Sequence, residues 1–479
     1  MTPTAVEVLS PEEILALDRT SKEILQDTGI GLRSQELLYL LEGKGLEVDH
    51  EGERVRFSPE QVQRGIALTP PSVEIFDRDK FKRFTLGRGC PPRFAAGFNA
   101  TFTLETTFGA RRPATKADVA RYARVAQHLE ELDLVGPSAV PHDVTAPAAL
   151  LHAVEAVLDN TTKPILFAPE NDEETAALIE ILKVVAGEAN IGAAPQGICQ
   201  FSPSSPLFWN EGTLKGFLRM VGEGFPCTIL PGPLAGATSP YTLAANLVQK
   251  NCEVLAAVVM AQFVRPGAPL LCYNAGGQFD MRAQTAVFGS PEVALILMAG
   301  TQLARFYGLP THGCFPSSDS HCLDEQIGIE NTMQLLVCLL SGADLMVNAG
   351  MFAGGETVSL EQLVIDNDLC GLVRRIARGM KVDEQHLCRE AFGRVGPRGN
   401  YLEDPTTLAH LRNGEWSEAK VLCRQRHEQW RGDGAPDIVE RARRVAEELG
   451  RREQAPLKNE QKRRIGSIIT DYERSCVSG

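Results

Sequence analysis

From about residue 92 onward the chain alternates between two hydrophobic patterns. Short runs of consecutive apolar residues give way to longer runs in which apolar residues recur every three or four positions. The first pattern suits a strand buried on both faces, and the second suits one face of a helix. The strand segments are RFAAGF, LDLVGPSAV, KPILFA, QGICQF, CTILPGPL, PLLCYNAG, THGCFP and LMVNAG. Helical runs begin at Thr115, near Ala146, at Asp172, near Glu211, at Pro240, at Pro291, near Asp324 and at Ser359. Thr115-Lys116-Ala117-Asp118 reads as a capping box, while Ser239-Pro240 and Ser290-Pro291 place serine at the N-cap and proline in the first turn. Eight strands alternating with eight helices predict a parallel sheet with helices outside it. The count of eight favours an α/β fold of the closed (β/α)8 TIM-barrel type over an open doubly wound sheet. No G-x-G-x-x-G follows the first strand, which weakens a dinucleotide-binding alternative.

The segment Ala343–Arg375 shows the plan best. LMVNAG is strand-like, AGMFAGGE is a glycine-rich loop, and from Ser359 an amphipathic run buries Leu360, Leu363, Val364, Leu369, Leu372 and Val373 on one face. In a barrel such a loop lies on the face that carries the chemistry. Before the barrel, Ser10 to about Leu46 reads as helical. It opens on a capping box at Ser10-Pro11-Glu12-Glu13, with a second run near Ser34. GLEVDHEGERVRFS predicts a hairpin around Glu51-Gly52, and TPPSVEIFDRD a short extended piece. The expected organisation is an N-terminal α+β cap region over 1–90, the barrel over 91–380 and a C-terminal helical extension over 381–479 packed on its outside.

Composition narrows the function. The 479 residues are 43% hydrophobic, enough for a large core, and carry a formal net charge of −13. That acidic balance argues against nucleic-acid binding, which needs clustered Lys and Arg. The arginines that do cluster (Arg441, Arg443, Arg444, Arg451, Arg452) are interleaved with glutamates and read as a solvated helix face. No uninterrupted apolar run reaches membrane-spanning length, and MTPTAVEVLSPEE lacks the basic and apolar regions of a signal peptide. A cytoplasmic protein without membrane contact is expected. Twelve cysteines in so long a chain do not suggest a disulfide framework. Half of them (Cys199, Cys227, Cys252, Cys272, Cys338, Cys370) sit in apolar segments, where free thiols behave as small hydrophobes. A barrel with an added cap and tail can offer large apolar patches, so a homo-oligomer is expected.

The loops after the strands are rich in aromatics, small residues and amides and poor in tightly spaced metal ligands. His312-Gly313-Cys314 and His321-Cys322 raise the possibility of zinc, but neither pair has the spacing of a C-x-x-C or H-E-x-x-H site. No metal site is assigned. Gly276-Gly277 and Gly354-Gly355 lack the lysine of a phosphate-cradling loop. Asp319-Ser320-His321 looks like the start of D-x-H-x-x-G, a cobalt-ligating motif of corrinoid proteins. Asp324 stands where its glycine should be, so it reads as a decoy.

Several long motifs in order, NTTKPI, SPSSPL, PLAGATSP, EVLAAVVMAQFVRPGAP, DMR with FGSPE, and SLEQLVIDNDLCGLVRR, resemble the trimethylamine methyltransferase family from SKEILQDTGI through VGPRGNYL. The resemblance implies a (β/α)8 barrel that passes a methyl group from a methylated amine to the cob(I)amide of a partner corrinoid protein. No cofactor would be bound permanently, the cobalt corrinoid being presented by that partner. The chain has no non-standard residue, so it is similar to the branch without pyrrolysine, whose members demethylate quaternary amines such as glycine betaine. Many relatives read HAAGW where this chain has Val347-Asn348-Ala349-Gly350-Met351, which leaves the substrate class open.

A quaternary ammonium leaves as a neutral amine, so such chemistry needs orientation, in-line access and a dry pocket rather than a general acid. Aromatic faces suit the fixed positive charge, and Phe98, Phe201, Tyr273, Phe279, Phe315 and Phe352 are the candidates. Asp143, Asp280 or Glu356 could balance charge. His142, Gln278, Arg282, His312 or Asn348 could hold a substrate carboxylate, with Arg282 the best chemical match. Asp143, Tyr273 and Asn348 are the expected catalytic residues. Two other readings compete with this one: a zinc-activated methyltransferase or lyase on the same barrel, and a non-catalytic subunit that only binds a quaternary amine.

Overall fold

The computed structural model describes residues 6–78, 80–105, 110–187, 190–274, 276–314, 317–452 and 456–478. The side chains of Tyr273, Asn274 and Cys314 lie outside that description. Eight parallel strands close into a barrel: β1 (Arg93–Ala96), β2 (Leu134–Val135), β3 (Ile165–Phe167), β4 (Gly197–Phe201), β5 (Cys227–Ile229), β6 (Leu270–Asn274), β7 (Thr311–Cys314) and β8 (Leu345–Ala349). Strand β8 returns to β1, so every strand has two neighbours and no edge is left to cover.

Each strand falls within one of the eight apolar segments of the sequence. The helices that follow them are α1 (Lys116–Gln127), α2 (Ala149–Leu158), α3 (Asp172–Ala186), α4 (Glu211–Gly222), α5 (Leu243–Val264), α6 (Pro291–Phe306), α7 (Glu325–Ser341) and α8 (Leu360–Ala377). Thr115 and Asp118 form the expected capping box, and Ser290 and Ser359 cap α6 and α8. Helix α5 departs from expectation: it begins at Leu243 with Thr242 as its cap. Residues 234–239 are instead held in a turn, in which Leu234 N donates to Thr238 Oγ1 (2.9 Å) and Gly236 N to Ser239 O.

The N-terminal helical reading also needs correction. A helix over Pro11–Asp27 stops, and Ile30–Leu32 runs as a strand between Arg54–Arg56 and Phe208–Trp209 before a second helix, Gln35–Gly43. The hairpin around Glu51-Gly52 is present, with Glu47–Asp49 paired to Arg54–Arg56. A second hairpin, Ser72–Phe76 with Lys82–Gly87, closes the N-terminal end of the barrel. Its Val73, Ile75, Phe84 and Leu86 pack against Ala95, Leu134, Leu166, Ile198, Leu271 and Leu345 of the strands. This layer is the floor of the barrel.

The family-like motifs fall mainly at joints between elements. Lys163 of NTTKPI is buried and donates to the carbonyls of Ala126, Leu129 and Leu132 at 2.6–2.8 Å, satisfying the C-terminal end of α1. Glu253 of the α5 motif is also buried, and accepts from Ser205 Oγ (2.8 Å) and Leu207 N (2.9 Å) in SPSSPL. Helix α8 spends three consecutive polar residues on three neighbours. Asp366 accepts from Gly350 N (2.7 Å), Asn367 from Glu131 N (3.1 Å), and Asp368 from Lys420 N and Val421 N (3.0 and 2.7 Å).

The C-terminal extension lies on the outer helices. Helix Ile438–Gly450 packs on α8 and α1, and helix Asn459–Ser478 on α3. The arginine cluster is only partly a solvated face, because Arg443 reaches the buried Glu361 of α8 at 3.2 Å and Arg441 donates to Val421 O at 2.6 Å.

Candidate active site

Two small sheets that the apolar pattern did not reveal rise from the strand ends. One joins Leu234–Ala235, Gly277–Asp280 and Thr285–Val287. The other joins Phe102–Leu104, Arg111–Pro113, Met351–Phe352 and Thr357–Val358. The glycine-rich loop after β8 is thus a tight hairpin whose turn, Ala353-Gly354-Gly355, runs through positive φ at all three positions.

Above the apolar floor the barrel lumen becomes polar. Gln200, Thr228 and His312 come from β4, β5 and β7, and each is at least nine-tenths buried. Register aligns Gln200 with Thr228. Thr228 Oγ1 stands 2.8 Å from His312 Nδ1. Burial pushes the His312 pKa down to about 3, so the imidazole is neutral at ordinary pH. The Gln200 side-chain oxygen is enclosed without a hydrogen-bond partner among the described residues. An enclosed acceptor left unpaired is costly to folding and marks a position that awaits a ligand or water.

Next above come Phe98 and Asn348. Phe98 is 8% exposed and belongs to the lumen cluster with Val347. It can lie across β2 because residue 136 is glycine; a Cβ there would stand 2.8 Å from Phe98 Cβ. The pairing of β8 with β1 shifts register between Met346 and Ala349. This bulge inserts Asn348 between the lumen-facing Val347 and the helix-facing Ala349, at φ +83°. Asparagine is among the residues that tolerate positive φ, and a bulge of this kind re-aims a side chain beside a site. The Asn348 side-chain oxygen is enclosed. Gln278, on the first small sheet, is half-buried with its oxygen enclosed. Tyr273 occupies β6 in register with His312, its side chain outside the described residues, as is Phe315.

Several expected site residues are elsewhere. Asp143 is exposed, and its carboxylate accepts from Lys116 N at 2.8 Å, holding the start of α1. His142 is exposed, with its backbone N bonded to Ala114 O. Phe201 faces outward into the helix layer, 5.5 Å ring to ring from Phe217, because β4 alternates and Gln200 takes the lumen position. Phe352 is fully buried with Ile327 and Ala353, as packing under the second small sheet. Phe279 is half-buried on the first one. Glu356 is exposed and pairs with Arg111 at 3.1 Å.

Arg282 is also exposed; its backbone N and that of Ala283 donate to Asp280 Oδ1, so Asp280 holds a turn. His312 lies below the rim and is neutral, so it can hydrogen-bond but cannot supply charge to a carboxylate. Asp319 accepts from Phe288 N and Gly289 N at 2.7–3.1 Å, which is a structural task rather than cobalt ligation. Of the expected residues, Phe98, Gln278, His312, Asn348 and the backbone of Tyr273 line the strand ends. Gln200 and Thr228 were missed, although a glutamine inside GICQF, a segment otherwise built for complete burial, was a readable signal.

Comparison with known proteins agrees with this architecture. The sequence profile of the trimethylamine methyltransferase (MTTB) family matches residues 2–475. The chain is 30% identical to trimethylamine methyltransferase MttB of Desulfitobacterium hafniense (strain DSM 10664 / DCB-2) over 434 residues, 90% of this chain and 87% of that one. It is 27% identical to glycine betaine methyltransferase of Desulfitobacterium hafniense (strain Y51), covering 88% of this chain and 91% of that one. In fold it resembles the crystal structure of the monomethylamine methyltransferase of Methanosarcina barkeri, with a TM-score of 0.51 and 10% identity over 94% of this chain and 90% of that one. With the profile spanning nearly every residue and the barrel closed as that fold requires, the chain belongs to the trimethylamine methyltransferase family and is a methyltransferase.

Proposed function

We propose that the protein takes a methyl group from a small quaternary amine, glycine betaine first among them, and delivers it to the Co(I) of a corrinoid carried by a partner protein. The observation that carries this reading is the uncharged polar belt of Gln200, Thr228 and neutral His312 in the lumen of a barrel from this family. A protonated histidine there would repel a cationic substrate. A neutral one offers hydrogen bonds without opposing charge. Phe98 supplies an aromatic face, a contact worth about 0.5–2 kcal/mol to a cation.

The corrinoid supplies the nucleophile. A corrinoid presented at the open strand ends would accept the methyl carbon with its own electron pair, and the C–N pair would stay with nitrogen, which would leave as a neutral tertiary amine. No proton is needed at the leaving group, so this chemistry asks for no general acid, and Asp143 is free to hold the start of α1. The work of the chain is to hold the cation with one methyl toward the open ends of the strands, with Asn348 and Gln278 at the rim, and to exclude water. The chain's standard amino-acid alphabet and its likeness to a glycine betaine methyltransferase support a quaternary over a tertiary amine.

The test is incubation with cob(I)alamin, free or on a corrinoid protein, and a panel of glycine betaine, choline, tetramethylammonium and trimethylamine, with methylcob(III)alamin followed by its absorbance. Methylation from a quaternary amine is expected. Methylation from trimethylamine alone, or tight betaine binding without any transfer, refutes the substrate or the catalytic reading respectively.

A further inference from the structure

On the outside of the barrel, helices α7 and α8 and the C-terminal extension line a cavity of about 470 Å³. Its apolar wall is Ile327 of α7, Ile365, Leu369 and Leu372 of α8, and Leu422 and Ile438 of the extension. Ile327 is buried, and the other five are half-buried around the opening. The volume falls in the range of roughly 300–1,000 Å³ that holds small molecules in proteins.

One part of this lining is polar. Asn331 of α7 is 1% exposed and donates through Nδ2 to Asp366 Oδ1 at 3.2 Å. Gln362 donates to the same oxygen at 2.8 Å and Gly350 N to Asp366 Oδ2 at 2.7 Å, so both carboxylate oxygens act as acceptors. Asn331 therefore turns its N–H toward Asp366, and its own side-chain oxygen is left without a hydrogen-bond partner among the described residues. An enclosed acceptor of this kind calls for a donor. The ionisable side chains lining the cavity are Asp324, Glu325, Asp366 and Asp437, and none is basic. An anion is repelled by such a lining, and a purely apolar molecule leaves the Asn331 oxygen unpaired. A quaternary ammonium, the substrate proposed for the lumen, has no N–H to give it. An ammonium head on an apolar chain satisfies all three features.

We propose that this cavity is a second binding site, for a primary alkylammonium ion, and that its occupant steadies the hairpin after β8. The ammonium donates to Asn331 Oδ1, and the chain lies along the apolar face of α8. The cavity's own walls already reach the hairpin by two routes. Asp366, which Asn331 and Gln362 hold in place, accepts from Gly350 N at the start of the hairpin. Ile327 packs against Phe352 and Ala353 within it. An occupant that fixes Asn331 and Ile327 thus restrains the segment that begins two residues after Asn348. Burial holds the Asp366 pKa up to about 7, and a cation nearby favours its ionised form, which is the better acceptor for Gly350 N.

Isothermal titration calorimetry of the full chain with n-octylammonium chloride, and with sodium n-octanoate as the same chain on an opposite charge, tests the site. Saturable binding of one n-octylammonium per chain is expected, at least tenfold tighter than n-octanoate. Leu372→Trp fills the cavity from a half-buried position outside the core clusters, and is expected to weaken binding at least tenfold with unchanged circular dichroism. Asn331→Leu removes the acceptor and is expected to do the same; should it fail to fold, Leu372→Trp decides. Hydrogen–deuterium exchange of the wild type reads the second half of the proposal, with the amide of Gly350 expected to exchange at least threefold more slowly when n-octylammonium is bound. Absence of saturable binding, equal binding of n-octanoate, or binding that Leu372→Trp leaves intact overturns the site. Unchanged exchange at saturation overturns the link to the hairpin. Neither measurement contains a corrinoid or a methyl donor, so both outcomes stand apart from the methyl-transfer reading.

Discussion

The Gln200 carboxamide is the residue whose presence folding alone does not explain. Leucine would fill that space without an enclosed, unpaired oxygen, so Gln200→Leu is expected to raise stability by about 1–3 kcal/mol in urea melts while lowering methyl transfer at least tenfold. A variant that is both stabilised and fully active would make Gln200 mere packing. His312 carries a pH signature. Its folded pKa of about 3 lies below the ordinary 6.5, so between those values the unfolded chain binds a proton that the native lumen refuses. Stability from this group is therefore complete above pH 6.5 and is lost as pH falls toward 3. Comparing urea unfolding of the wild type with His312→Gln at pH 7 and pH 4.5 isolates the effect, and the gap should shift in favour of the variant on acidification. Lys163 is the opposite kind of residue, wholly structural. Lys163→Met withdraws the ammonium donor from three enclosed carbonyls, of which those of Ala126 and Leu129 keep only backbone N–H partners, and is expected to cost about 1–3 kcal/mol.

At the level of elements, the hairpin after β8 shows how a helix holds a loop. Gly350 takes φ +89°, and a Cβ there would meet the Tyr122 hydroxyl at 2.2 Å. Its N–H is fixed by Asp366, and Tyr122 donates to the neighbouring carbonyl of Ala349. Gly350→Ala is expected to cost about 2–4 kcal/mol through positive φ and the clash together. It should also depress turnover more than a remote change of equal stability cost, because Asn348 sits two residues away.

The eight strand–helix units were readable because burial on both strand faces leaves continuous apolar runs and Ser/Thr caps announce the helices. The two small sheets were not, since strands of two to four residues in polar loops carry no period. The aromatic cage was misread for a related reason. Near a strand end, adjacent residues face opposite ways, so an uncertainty of one position moves Phe201 from lumen to helix layer and conceals Gln200. Motif likeness identified the family, yet Lys163, Glu253 and Asp366 show that much of it records how the barrel is pinned.

For the whole molecule, the C-terminal extension is part of the wall. Ala442, Ala446, Leu449, Ile465 and Ile469 are buried against the outer helices, and Arg443 compensates the enclosed Glu361. A chain ending at residue 380 is expected to be insoluble or to melt far below the full protein in differential scanning calorimetry. An unchanged melting temperature would make the extension an appendage. Closure of β8 onto β1 has a further consequence, for synthesis. On the ribosome the opening strand emerges more than two hundred residues before its last neighbour, and until then its unpaired amides stay available to any passing chain. Production of this protein should therefore depend on chaperones, with yields that improve when translation is slowed by cold.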